Sequence, residues 1–475
     1  MKRIRSIPIL LLLLTLILVS CKKFLEVEAP FTSTSSENVY DNDETAIAVM
    51  TDVYAYLSSN NGNIPVNVLS NLSLYCGLYS DELELFDKNN QALFPYYTND
   101  LSNITDPNFW NSIYHVVYVT NTLTEGVANS KKLSDPVKKQ LLGEGKFMRA
   151  YCYFYLVNLY GKVPLAITSD YKVNATSSRA NIENVFEQII TDLNDAINLL
   201  SDKFLDASLT NSSEDRVRPT KWAAMALLSK VYLFTQNYMA SKDLATKVIA
   251  HSELFKLEDL SKTFLKNSKE TIWCLQNVGT ADNSNTGDAR IFILPDGGPN
   301  SGDNPVVLAP VLLQRFENGD LRRQVWIDST IIGSDKFYYS FKYKAGRLTS
   351  QNVESLVLFR LAELYLLRAE AEVQLTDYSS ANSDLDLIRK RAGLTTINIT
   401  DKEKLLTAIF NEKQVELFTE MGARWIDVKH FNKADIIMPN IVSQKGGNWD
   451  TKSLLFPIPL SELEANSNLI QNPGY

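Results

Sequence analysis

Arg360-Leu361-Ala362-Glu363-Leu364-Tyr365-Leu366-Leu367-Arg368-Ala369-Glu370-Ala371 opens the stretch, running on to Arg389, that decides the fold. It has a partner 140 residues earlier, because Thr220 to Ile249 aligns with Arg360 to Arg389. Leu228, Ser229, Tyr238, Ser241, Ala245 and Val248 fall opposite Arg368, Ala369, Tyr378, Ala381, Leu385 and Ile388. Each copy reads as a helix, a short turn carrying Tyr after Asn or Asp, and a second helix rich in small residues. Small residues let paired helices approach closely, and the Tyr fills the wedge at the turn. That pattern is a tetratricopeptide-like unit, and such pairs stack into a curved scaffold. Lys146 to Tyr160 reads as the first helix of a third, poorer copy.

Helical spacing extends outward from these copies. Glu37 to Leu57, Phe109 to Leu123 and Asn181 to Leu200 carry apolar residues three and four apart. Pro136 begins a long helix that Gly161 stops. The texture changes between the two copies. Asn277 to Pro310 is rich in Gly, Asn, Asp, Ser and Pro, which is loop chemistry. Residues 325–343 concentrate aromatics and read as short strands or a hairpin, and Ser443 to Asp450 is a further Gly-rich loop. The expected fold is mainly α, a tetratricopeptide-like helical-repeat scaffold with irregular loop and short-strand insertions. The expected parts are 37–250 and 251–475, the second carrying a loop insertion at 277–345.

The N-terminus sets the compartment. Lys2, Arg3 and Arg5 precede an apolar run from Ile7 to Val19, which is shorter than the ~20 residues a spanning helix needs. Leu18-Val19-Ser20-Cys21 has the form of a bacterial lipobox, so residues 1–20 read as a signal peptide and Cys21 as the acylated first mature residue. Residues 21–36 read as a lipidated tether, because multiple acyl chains anchor stably without a transmembrane helix. Cys76, Cys152 and Cys274 remain and cannot all pair internally, so buried free thiols are expected.

Composition narrows the function classes. The chain has 475 residues, 45% hydrophobic and 21% charged, which excludes a wholly disordered chain and a polytopic membrane protein. With 47 basic against 55 acidic residues the net charge is −8, which argues against a nucleic-acid partner. The 3 histidines, His115, His251 and His430, stand far apart, so no HExxH-type metal site is present. Neither a Walker loop nor GxGxxG occurs, and no cofactor or metal is expected. Paired carboxylates such as Asp81-Glu82 exist, but spacing along the chain cannot set them about 5 Å apart, as retaining glycoside hydrolysis requires.

Five ordered segments carry a resemblance. They are Ser20-Cys21-Lys22-Lys23-Phe24-Leu25-Glu26; Arg149-Ala150-Tyr151 through Gly161-Lys162-Val163-Pro164-Leu165; Arg360 through Ala371 with Ile388-Arg389-Lys390-Arg391-Ala392-Gly393; Glu412 to Asp427 with Glu416, Glu420, Gly422 and Arg424-Trp425; and Leu455-Phe456-Pro457-Ile458-Pro459 with Gln471-Asn472-Pro473-Gly474-Tyr475. Together they resemble the SusD/RagB family of Bacteroidetes outer-membrane lipoproteins over nearly the whole mature chain. Met421 departs from the Glu-Gly that the family often has there. The resemblance implies a lipid-anchored protein on the outer face of the outer membrane. Its members cap a TonB-dependent barrel of the SusC/RagA type and bind glycans, less often peptides, without cutting them. The shared segments read as scaffold, and members bind through loops that vary, so no binding residue carries over.

A sugar presents apolar CH faces and hydroxyl edges, so its site needs flat rings beside Asn, Asp, Arg or backbone groups. Three clusters combine such rings with loop context. The first is Tyr75, Tyr79 and Asp81 with Tyr96, Tyr97 and Asn99. The second is Arg290 and Phe292 within Asn285 to Asn304. The third is Trp326 and Tyr338-Tyr339, with Trp449. Tyr96, Tyr97 and Tyr339 are the foremost candidates, and ordinary packing is the competing reading for every cluster. A glycoside hydrolase and a purely structural scaffold are the alternatives of other classes. Which glycan is bound, and whether calcium assists, stays open.

Overall fold

The computed structural model describes residues 39–58, 68–102, 109–276, 285–346 and 352–475. The signal segment, the tether with Cys21 and the stretch 277–284 lie outside the described residues. Helices dominate. They begin with α1 (Asp43–Ser58) and α2 (Val68–Tyr79), followed by the short strand β1 (Leu83–Leu85). Next come α3 (Phe109–Asn129), α4 (Asp135–Tyr160), α5 (Ile182–Leu199), α6 (Lys221–Phe234) and α7 (Tyr238–Ile249). Pro136 sits in the first turn of α4, where its missing N–H costs nothing. The helix stops at Gly161, which takes φ 72° and returns its N–H to the Val157 carbonyl at 3.0 Å. In α5 the buried residues Val185, Ile189, Leu193 and Ala196 recur at three- and four-residue intervals, so one face meets α4 and α6.

The C-terminal half brings β2 (Thr271–Leu275), β3 (Val306–Leu308), the hairpin β4 (Ile327–Ile332) and β5 (Asp335–Ser340), and β6 (Leu356–Arg360). Helices α8 (Leu361–Gln374), α9 (Tyr378–Arg391), α10 (Lys402–Leu417), α11 (Ala423–His430) and α12 (Ala434–Gln444) follow. The described strands pair as antiparallel couples, β1 with β3, β2 with β6 and β4 with β5, besides a two-residue couple of Val163–Pro164 with Arg179–Ala180. The expected loop at 285–310 is more ordered than its composition suggests, holding a short helix, Gly287–Phe292, as well as β3.

The two sequence copies fold into the same turn. Gln236 and Thr376 take φ 62° and 63°, and Asn237 and Asp377 take φ −86°, ψ 68° and φ −90°, ψ 68°. Each of the latter caps the following helix, accepting from Ala240 N at 3.4 Å and Ser380 N at 3.2 Å. Close helix approach is visible at Ser229, whose hydroxyl donates to the Ser241 carbonyl at 2.8 Å inside the pair. The copies are also neighbours, since α7 packs on α8. Lys230 and Glu363 bridge them at 2.7 Å. A large hydrophobic cluster runs from Ala46 to Ile458, with a smaller one from Ala362 to Ile409. Cys76, Cys152 and Cys274 are buried free thiols, as their number and context suggest. No described helix is long and apolar enough to cross a membrane.

Several charged side chains are paired in the interior. Arg360 reaches Glu416 at 2.6 Å and Glu270 at 3.0 Å. Arg322 reaches Glu412 at 2.7 Å, Asp320 at 2.8 Å and Glu416 at 2.9 Å. Arg391 binds Glu270 at 2.6 Å and also Glu416. Three guanidiniums converge on one carboxylate, which is how so much buried charge is tolerated. The surrounding cations hold Glu416 far below the usual carboxylate range against the opposing effect of burial.

Candidate functional site

Two sheet couples and one loop assemble an aromatic patch. β1 pairs with β3, and the ladder continues one step as Phe86 N donates to the Pro305 carbonyl at 2.9 Å. Phe86 therefore stands at the sheet edge, 46% exposed. The β4–β5 hairpin closes through Gly333-Ser334, with Gly333 at φ 62° as a two-residue turn requires. Alternation along β5 sends Phe337 and Tyr339 to one side and Tyr338 to the other. Phe337 meets Phe86 edge-to-face with ring centres 5.8 Å apart. Ile331, at 65% exposure, pairs with Lys336 and so lies on the opposite face of the hairpin, with Tyr338. A loop packs close to this hairpin at Gly298, φ 79°, where a Cβ would come within 2.8 Å of Ile332.

Polar groups border these rings. The turn after Phe86 offers Asp87, Lys88, Asn89 and Asn90, and the Asn90 amide ties it to the Ser301 carbonyl at 3.3 Å. Arg323 lies 4.5 Å and Lys336 4.9 Å from the Tyr338 ring. The Lys336 hydrogen bond and charge draw the Tyr338 hydroxyl below its ordinary value. Tyr339 is nearly buried, and its hydroxyl donates to Asp328 at 3.3 Å. Burial, then the Asp328 carboxylate, pushes that phenol up to about 12. The Phe86–Phe337 rings thus stand beside the polar turn Asp87–Asn90, while Tyr338 with Arg323 and Lys336 occupies the other face of the same hairpin. Rings beside amides and carboxylates are the chemistry that a polyhydroxylated ligand with apolar faces requires.

The sequence-based candidates divide sharply. Tyr75, Tyr79, Tyr96 and Tyr97 are core residues, a correction to their assignment as stacking platforms. Tyr75 packs edge-on to Tyr96 at 4.5 Å, and Tyr79 contacts Trp425 at 4.9 Å and Phe456 at 5.1 Å. The Tyr97 hydroxyl binds Glu84, and Lys445 covers its ring at 5.1 Å. Asn99, at φ 56°, donates its amide to the Tyr79 carbonyl at 2.9 Å, and Asp81 is buried against Arg424. Phe292 and Arg290 are buried too, with Arg290 3.4 Å from Asp303. Trp326 is fully buried and donates to the Leu260 carbonyl at 2.8 Å. Trp449 is half-buried, donates to Asp435 at 2.8 Å and pairs with Trp425 rather than with the hairpin. The reason is common to all. In a chain with 10% aromatics most rings are needed inside, and a loop position does not say which way a ring points. Tyr339 lies on the Phe337 side of the hairpin but is buried, and Tyr338 lies on its opposite face. Phe86 and Phe337 were missed as binding candidates, although an aromatic running straight into Asp87-Lys88-Asn89-Asn90 is a readable signal of a ring at a turn.

Paired helices that hold a hairpin at the surface define a mainly helical, tetratricopeptide-like scaffold. The particular family follows from comparison. A family model described as "Starch-binding associating with outer membrane" matches residues 23–233, and the SusD family model matches 324–475. The chain belongs to the SusD/RagB family. A SusD-like protein of Formosa agariphila is 24% identical, covering 96% of this chain and 97% of its own. A SusD superfamily protein from Bacteroides vulgatus superposes with TM-score 0.77 at 19% identity, over 92% of this chain and 100% of its own. Surface glycan-binding protein A from Bacteroides fluxus gives TM-score 0.74 at 22% identity, over 91% and 99%.

Proposed function

We propose that this chain is a lipid-anchored protein of the outer-membrane surface that binds glycans and delivers them to a SusC-like TonB-dependent barrel. The single observation that carries the binding reading is the Phe86–Phe337 pair, with Phe86 exposed and Phe337 half-buried, bordered by Asp87, Asn89 and Asn90. Membership of a family described as starch-binding, and likeness in fold to a surface glycan-binding protein, support the ligand class. The lipobox at Cys21 supports the anchor. Two or three stacking contacts with hydrogen bonds correspond to micromolar to millimolar affinity, about 4–8 kcal/mol, which suits a protein that hands its ligand on. Binding without cleavage is the proposed activity.

Calorimetric titration against a panel of oligosaccharides tests the reading, with saturable binding of at least one expected and no product released. Binding of peptides with none of any glycan would replace it with peptide capture of the RagB kind. Cys21→Ala should yield soluble protein, and membrane retention of that variant would refute the anchor. Crosslinks to a barrel partner in intact membranes are expected, and their absence counts against the delivery step.

A further inference from the structure

A trough of about 350 Å3 lies among α3, the one-turn helix Tyr171–Asn174 and the C-terminal helix Leu460–Ala465, and it shares no lining residue with the hairpin patch. Trp110 and Tyr114, one helical turn apart on α3, form its inner wall with ring centres 4.9 Å apart. Tyr118, one turn further along the same face, is 51% exposed at the rim, and Tyr171 stands on the other side, 70% exposed. Tyrosines this exposed, flanking a concave surface, mark contact sites more often than random surface does.

The walls are held in place without a ligand. The Tyr114 hydroxyl donates to the Pro164 carbonyl at 2.7 Å. The Asp170 side chain caps the Tyr171 turn at Lys172 N, 2.9 Å, and the Asn174 amide ties it to the Thr168 carbonyl at 2.8 Å. Asn466 fastens the opposite wall to the Ser177 carbonyl at 2.8 Å. Prior fixing of this kind removes ordering cost from binding. Between these walls the Glu462 carboxylate lines the trough and makes no hydrogen bond or ion pair with any described residue. No Lys, Arg or His lines the trough.

We propose that this trough is a second carbohydrate subsite, which takes one or two neutral sugar rings of a chain held elsewhere on the protein. The proposal rests on the glycan-binding reading. Tyr118 and Tyr171 supply flat faces for ring CH groups, and the Glu462 carboxylate accepts from hydroxyls. An anionic sugar meets a carboxylate with no compensating cation, so uronic acids are disfavoured. The volume sits at the low end of the ~300–1,000 Å3 typical of ligand sites, which fits a short saccharide better than a protein segment.

Calorimetry on the full chain tests this with the neutral oligosaccharide that the wild type binds best, a polysaccharide of the same linkage, and an acidic polysaccharide. The variants are Y118A/Y171A for the trough and F86A/F337A for the hairpin, with folding checked by circular dichroism. In Y118A/Y171A the polysaccharide should bind about five- to tenfold more weakly, while the short oligosaccharide seated at the hairpin is unchanged. F86A/F337A should retain weak binding that disappears only when the trough changes are added. Glu462→Gln should narrow the preference for neutral over acidic chains. Wild-type polysaccharide affinity in Y118A/Y171A overturns the subsite and leaves the hairpin reading intact. The same holds if that variant loses only crosslinks to a barrel partner, which would make the two tyrosines a protein contact. Failure of the wild type to bind any glycan overturns both readings together.

Discussion

Arg424 and Asp81 form a two-pronged ion pair across 343 residues of sequence, Nε to Oδ1 at 2.6 Å and Nη2 to Oδ2 at 2.7 Å, with both side chains buried. The contact joins α11 to the segment between α2 and β1, and so fastens the C-terminal half of the chain to its N-terminal half. Arg424 holds the Asp81 carboxyl below its usual range although burial acts the other way. Gln414 adds a third hydrogen bond to Asp81 at 3.1 Å.

Asp81→Ala strands a buried guanidinium, and its cost should be on the order of 3–5 kcal/mol. Urea unfolding at pH 7 measures it. Glycan affinity per folded molecule should not change, which separates this scaffold role from the binding role its loop context first suggested.

Glu82, next along the chain, behaves oppositely. Burial above all, then the Asp81 charge, pushes its carboxyl up to about 8 from the ordinary 4.5. The folded form therefore keeps a proton that the unfolded chain has already released between those values. Stability contributed by this group falls as pH rises through that window, because the native state binds more protons. Glu82→Gln removes the dependence. The variant should gain on the wild type by roughly 1–4 kcal/mol between pH 5 and pH 8, read as the difference in urea midpoints. An unchanged difference across that range contradicts the assignment.

Phe86→Ala and Phe337→Ala should each weaken glycan binding about two- to twelvefold, the equivalent of one lost stacking contact of about 0.5–1.5 kcal/mol. Isothermal titration measures the change. Phe86 is half exposed, so its own substitution should leave the unfolding midpoint nearly unmoved.

Trp326→Ala is the contrasting case. Its ring is fully buried against Phe264 at 5.7 Å, and its indole N–H is satisfied by Leu260. Truncation should cost about 3–5 kcal/mol in denaturant unfolding.

The sequence by itself determined the helical framework. Tyr238 and Tyr378 sit after matching Asn and Asp caps, so the 140-residue repeat translated directly into two copies of one turn, and Pro136 and Gly161 bounded α4 as written. These are local signals, set by backbone preference and by periodicity along one element. Direction in space is not local. Tyr96 and Phe86 both lie beside turns, yet one ring points into the Tyr75–Phe456 cluster and the other outward beside Phe337. Nothing in the local sequence of Arg322, Arg360 and Arg391 shows that Glu416, on a different helix, is brought among all three. Only the tertiary structure decided which rings were consumed by the core and which were left at the rim. That choice follows from packing between elements hundreds of residues apart, and no window of sequence contains it.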